Sequence, residues 1–164
     1  MIKRLTIFIG LIIFATNTYS QTIPKLKMID VVNRFNKKSD TIYVVNFWAT
    51  FCKPCIAEIP DFIKITNKYK SQKVKLILVS LDLPAFYPNR IASFVKKNNF
   101  NAEIVWLNET NADVFCPMIA TKWSGSIPAT VIVNAKNGSK FFVEGELKAQ
   151  ELEDELKAMI KGLR

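Results

Sequence analysis

Cysteine is the side chain through which proteins most readily pass electrons between covalent bonds. Two of this chain's three cysteines stand two residues apart, in FWATFCKPCIAEIP (47–60). A Cys52–Cys55 pair has three uses: a structural staple, half of a metal site, or a dithiol that exchanges with other disulfides. A structural zinc site wants four Cys or His ligands, usually arranged as two such pairs. Here there is one pair, a distant Cys116 and no histidine, so no metal is expected. A disulfide closing so small a loop removes little entropy from the unfolded chain. Redox exchange is the use that remains.

The segment supplies what exchange needs. An apolar run precedes Cys52 and a helix-patterned one follows, which places it where a strand ends and a helix begins. Free amides and the positive end of the helix dipole favour negative charge there, so a Cys52 thiolate is stabilised and its pKa falls. Lys53 adds a solvated cation, and Pro54 sits at the helix start, where its missing N–H costs no bond. An exposed Cys52 would attack a substrate disulfide, and Cys55 would then attack Cys52 to release the reduced product. Cys55 must first lose its proton. Glu58 lies three residues beyond it on the same helix face. Partly buried, Glu58 would have the raised pKa of a proton acceptor; solvated, it would be an ordinary helix glutamate. The spacing leaves both readings open.

The elements that hold these residues follow from hydrophobic periodicity. LKMIDVVNRFNK (26–37) puts Leu26, Ile29, Val32 and Phe35 at helical spacing. TIYVVNFW (41–48) has the β-branched and aromatic content of a strand buried on both faces. A helix is expected from Lys53 to about Tyr69, kinked where Pro60 interrupts it. KLILVSL (75–81) reads as a second buried strand, Pro88 opens a helix ended by Asn98-Asn99, and AEIVWL (102–107) is a third strand. Pro117 argues for loop and short helical turns over 108–124. ATVIVN (129–134) and SKFFVEG (139–145) form a hairpin around a Lys-Asn-Gly turn, and Leu152, Leu156, Met159 and Ile160 close the chain as an amphipathic helix ending near Gly162. The order predicts an α/β fold, a mixed central sheet with helices on both faces.

The first twenty residues differ from the rest. Lys3 and Arg4 precede the apolar stretch Leu5–Ala15 and the polar TNTYS, the pattern of a secretory signal peptide cleaved near Ser20. The apolar run is well short of the roughly 20 residues needed to span a bilayer, so no permanent membrane anchor is expected. The predicted organisation is a signal peptide at 1–20 and one domain at 21–164, exported to the periplasm. The net charge is +9, but the lysines are scattered through helix ends and turns without an Arg-rich stripe. That describes a solvated surface and gives no nucleic-acid footprint.

A second stretch bears on the same chemistry. WSGSIPATVIV (123–133) sets Pro128 at the start of a strand. A cis Ile127–Pro128 bond would turn the Ile127 backbone outward as an edge for an extended peptide; a trans proline would simply begin an edge strand. Taken together, Trp48 ahead of the pair, the C-x-x-C, Pro60 five residues after Cys55, and IPATVIV resemble the thioredoxins. The likeness is specifically to the exported TlpA/ResA-like thiol-disulfide oxidoreductases, and it covers residues 40–164 in element order. The resemblance implies a thioredoxin fold, Cys52 as nucleophile, Cys55 as resolving thiol, Glu58 as active-site acid and Ile127-Pro128 facing the cysteines. Trp48, Phe51, Lys53 and Pro54 would complete the surface offered to substrate. No cofactor is implied. There are departures: Asn46 stands where cytosolic-type thioredoxins carry a buried aspartate, Phe51 where Trp is usual, and Lys53 where a small residue is usual. Cys116 has no counterpart in the motif and reads as a buried, unpaired thiol.

The function expected is a periplasmic disulfide reductase. It would act as a monomer on disulfides of exported proteins, apocytochrome c among them, and be recharged by a membrane-embedded thiol donor. Two alternatives stand beside it. A thiol peroxidase resembling the peroxiredoxins would place Thr three residues before a single reactive cysteine, whereas Thr50 is two before Cys52. A non-catalytic peptide-binding module would use the Ile127 edge with exposed Trp48 or Phe51. Copper delivery by a chaperone of this fold would want a histidine, and the chain has none.

Overall fold

The computed structural model describes residues 22–163; the expected signal peptide, 1–20, lies outside them. The chain runs β1 (Lys25–Leu26), α1 (Met28–Asn36), β2 (Ile42–Trp48), α2 (Lys53–Lys68), β3 (Val74–Ser80), α3 (Asn89–Lys97), β4 (Glu103–Leu107), α4 (Ala112–Ile119), β5 (Ala129–Asn134), β6 (Lys140–Glu144) and α5 (Ala149–Ile160). Among the described residues, six strands make one sheet in the order β1-β4-β3-β2-β5-β6. β2 lies parallel to β3 and antiparallel to β5, with Asn46 opposite Thr130 and Phe47 opposite Ala129. The predicted mixed α/β architecture is the one observed.

Strand side chains alternate between faces, and β2 uses that to feed two cores. Val44 and Trp48 join Leu78, Ile104 and Ile132 beneath α2, α3 and α5, which contribute Ile59, Phe62, Ile91, Leu152 and Leu156. Val45 and Phe47 turn to the other face with Val79, Val105 and Val131, covered by Met28, Val31 and Phe35 of α1 and by Phe115 and Ile119 of α4. A strand covered on both sides has no room for polar alternation, hence the unbroken apolar run. Asn46 is the exception: it shares a face with Val44 and Trp48, so it points at α2. No helix among the described residues is long and apolar enough to cross a membrane.

Three local expectations are corrected. Helix α1 begins at Met28 and buries Met28, Val31, Val32 and Phe35, while Leu26 pairs with Leu107 as part of β1 and Ile29 is exposed. The 3.6-residue period fits either register, and the apolar methionine decides between them. Residues 112–119 form a helix, α4, with Pro117 inside it. Pro117 stands near the end of an eight-residue helix, so its missing N–H forgoes one bond in the last turn; Asn111 caps the N-terminus by accepting from Asp113 N at 3.1 Å. At the C-terminus Leu152, Leu156 and Met159 are buried as expected, but Ile160 is exposed. The turn at Lys-Asn-Gly stands as expected, with Gly138 at φ 77°. Helix α2 continues through Pro60 as one helix.

Candidate active site

Strand β2 ends at Trp48, and the chain turns at once: Cys52 N donates to Ala49 O at 3.0 Å. Cys52 is the N-cap of α2, and its sulfur accepts the Cys55 amide at 3.3 Å. This is the strand-to-helix placement expected of it, with Pro54 in the first turn. Cys52 and Cys55 are joined as a disulfide, their Cα atoms 5.3 Å apart. The exposed Cys52 expected from the sequence needs correction. Only 8% of it is accessible, against none of Cys55, because its sulfur turns inward to its partner and to the first-turn amide. Cys52 is still the more reachable of the two. The surface beside it is supplied by Phe51, 57% exposed, by exposed Lys53 and by half-buried Pro54.

A carboxylate far along the chain holds the turn. Asp82, just past β3, accepts from Thr50 N at 3.2 and 3.1 Å, from Thr50 Oγ1 at 2.6 Å and from Ser80 Oγ at 2.8 Å. Its own carbonyl receives Trp106 Nε1 at 2.8 Å. Thr50 is thus pinned two residues before the nucleophile, and β2 and β3 leave the sheet at a fixed spacing. Thr50 and Asp82 are 32 positions apart, and no local pattern marks them as partners.

Glu58 is buried, 9% exposed, on the sheet-facing side of α2 with Cys55 and Ile59. Its Oε1 accepts from Asn46 Nδ2 at 2.8 Å and its Oε2 from Leu147 N at 3.0 Å. Asn46 Nδ2 also donates to Thr130 Oγ1 at 3.0 Å, its register partner across the sheet. Burial pushes the Glu58 carboxyl up to about 7; the two donated hydrogen bonds pull the other way, and neighbouring Glu146 adds to the rise. Of the two readings of Glu58, the solvated one is excluded. Asn46, which marks a departure from the thioredoxin pattern in the sequence, turns out to hold this carboxylate.

The other candidates divide. Trp48 is wholly buried, its ring against Phe94 and Phe100 at 6.0 and 5.7 Å. It is core under α3, which corrects the exposed role expected for it. The Ile127–Pro128 bond is cis, Pro128 is buried and Ile127 half-buried. Because Phe47 pairs with Ala129, the turn carrying the cysteines and the Ile127-Pro128 segment leave the same end of the sheet. Ile127 packs on the apolar cluster that contains Cys52 and Cys55. Cys116 is a free, buried thiol.

Comparison with known proteins agrees with this geometry. The model of the AhpC/TSA family matches residues 23–138. Thiol-disulfide oxidoreductase ResA of Halalkalibacterium halodurans is 28% identical over 120 residues, covering 71% of this chain and 61% of that protein; this chain therefore spans under two thirds of that curated relative's length. A thioredoxin-related protein from Neisseria meningitidis serogroup B superposes with a TM-score of 0.63 at 26% identity, over 76% of this chain and 87% of that one. A secreted disulfide oxidoreductase of Mycobacterium tuberculosis gives a TM-score of 0.55 at 22% identity, covering 73% and 83% of the two chains. The fold is that of the thioredoxins.

Proposed function

The chain belongs to the AhpC/TSA family, and from that premise we propose that it is a thiol-disulfide oxidoreductase of the ResA kind, working as a disulfide reductase on exported proteins in the periplasm. The observation that carries the reading is the disulfide at the N-terminus of α2, Cys52 Sγ on the Cys55 amide, with a buried carboxyl near pKa 7 one turn further along.

In the reduced protein the helix-end amide that meets Cys52 Sγ stabilises a thiolate. That thiolate attacks one sulfur of a substrate disulfide, forming a mixed disulfide and expelling the first substrate thiolate. Cys55 gives up its proton, for which ionised Glu58 is the acceptor on the same helix. The Cys55 thiolate then attacks Cys52, and the second substrate thiolate leaves. Two electrons pass to the substrate and the Cys52–Cys55 disulfide remains, to be reduced again by a thiol donor, proposed to be membrane-embedded. Phe51, Lys53 and Pro54 offer surface beside Cys52, and the Ile127-Pro128 segment offers backbone.

Of the alternatives, a peroxidase needs a hydroxyl free to serve the cysteine, and the Thr50 hydroxyl is committed to Asp82. A pure binding module would have no use for Glu58 buried beneath the pair. The test is a trap. The Cys55→Ser variant, expressed with its leader, should accumulate exported proteins joined through Cys52, cytochrome c precursors being the first to look for, and Cys52→Ser should accumulate none. Partner binding that survives Cys52→Ser unchanged would establish the binding module instead.

A further inference from the structure

Ile127 is anchored on both sides while its own backbone is not. Ser126 N donates to Glu144 Oε1 at 3.1 Å, Ser126 O accepts from Trp123 Nε1 at 2.9 Å, and Pro128 O accepts from Gly145 N at 2.8 Å. Ile127 N–H and C=O make no hydrogen bond among the described residues. An amide and carbonyl left open between two fixed neighbours suit pairing with an incoming strand.

One side chain does most of the fixing. Glu144 lies at the end of β6, opposite Ala129. Its carboxylate accepts from Ser124 N through both oxygens at 3.2 Å, from the Ser124 hydroxyl, and from Ser126 N. These bonds to an ionised acceptor hold the carboxyl below its ordinary range. Between the two serines sits Gly125 at φ 94°, where a Cβ would come within 3.2 Å of Ala112 Cβ. The backbone conformation and the crowding both demand glycine here. The loop therefore follows a path that only glycine allows at 125, and Glu144 clasps it from the far strand of the hairpin. Glu144 touches neither cysteine by any contact in the structure.

We propose that Glu144 is a positioning residue for substrate: by clasping Ser124-Gly125-Ser126 it presents the open backbone of Ile127 to an extended disulfide-bearing peptide beside Cys52. The inference rests on the oxidoreductase reading. It requires that losing Glu144 weaken peptide binding while leaving the thiol chemistry intact.

The experiment compares Glu144→Ala and Glu144→Gln with wild type on two substrates, a disulfide-bonded peptide and the small aromatic disulfide 5,5′-dithiobis(2-nitrobenzoate). Glu144→Ala should raise KM for the peptide about tenfold, the scale of one lost charge-assisted bond. Its kcat should barely change, and the small-disulfide rate should equal wild type. Glu144→Gln keeps one acceptor oxygen, so it should fall between the two and carry the result if Glu144→Ala does not fold. Unchanged peptide KM in folded variants overturns the clasp, as does an equal loss on both substrates. A wild-type protein that reduces neither substrate would instead overturn the oxidoreductase reading itself.

Discussion

At the scale of one residue, Glu58 carries the sharpest expectation. Its carboxyl titrates near 7 in the folded protein against an ordinary 4.5. Between those values the folded state binds a proton that the unfolded chain has released, so stability falls as pH rises through the window and levels off above it. At 1.36 kcal/mol per unit the loss is at most about 3 kcal/mol. The window is unusually clean. The chain has no histidine, and in the oxidised protein the remaining thiol, Cys116, is pushed by burial to about 11. Urea unfolding of oxidised protein from pH 5 to 8 should therefore show the decline in wild type and no slope in Glu58→Gln. In catalysis the carboxylate is the useful form, so release of a mixed disulfide by Cys55 should speed up as pH passes 7. Glu58→Gln should slow that step about a hundredfold near neutrality, the lower end of what a positioned base contributes. A pH slope that survives the substitution would assign the titration elsewhere.

At the scale of elements, the strand-to-helix junction was legible and its supports were not. β2, α2 and the hairpin announce themselves through period and turn residues, and Cys52 falls at the N-cap because an apolar run meets a helical one there. What holds the junction comes from residues distant in sequence: Asp82 on Thr50, Asn46 and Leu147 on Glu58, Glu144 on the loop before Pro128. Each is a polar residue of ordinary type, and only the register of the sheet gives it a partner. Trp48 is ambiguous for the same reason. A tryptophan at a strand end fits surface or core equally well, and α3 packing over it decides. Pro117 reads locally as a helix breaker, yet near the end of an eight-residue helix its missing N–H forgoes one bond. The Asp82 clamp can be tested directly. Asp82→Ala strips an acceptor from the buried Thr50 amide and hydroxyl and from Ser80, so unfolding free energy should drop by about 2–4 kcal/mol. In the reduced variant a small alkylating agent should also discriminate less between Cys52 and Cys55, since the turn no longer fixes which sulfur is reachable. A loss under about 0.5 kcal/mol, the range of a plain surface change, would mean that the turn holds its shape without Asp82.

At the scale of the whole molecule, Cys116 offers a reading of how the protein opens. It lies 2% exposed in the core between α4 and the sheet, among Phe115, Ile119 and Trp123, and Gly125 passes so close that a Cβ there would sit 3.7 Å from its sulfur. The second core, α4 and the clasped loop all cover it. A thiol reagent reaches such a group only when covering structure departs, and the rate then reports the free energy of that departure. In oxidised native protein no thiol should react quickly; after reduction Cys52, the more reachable of the pair, should label first, and Cys116 should still wait. If the covering elements part only with the fold, the Cys116 rate will rise with urea at the slope of global unfolding, roughly 1–3 kcal/mol per molar for a small protein. It should rise less steeply if α4 or the 123–126 loop lifts alone, since that exposes far less surface. Fast labelling of Cys116 in the native oxidised state would contradict the burial outright. It would also return the third cysteine to the redox chemistry that its position under the loop now denies it.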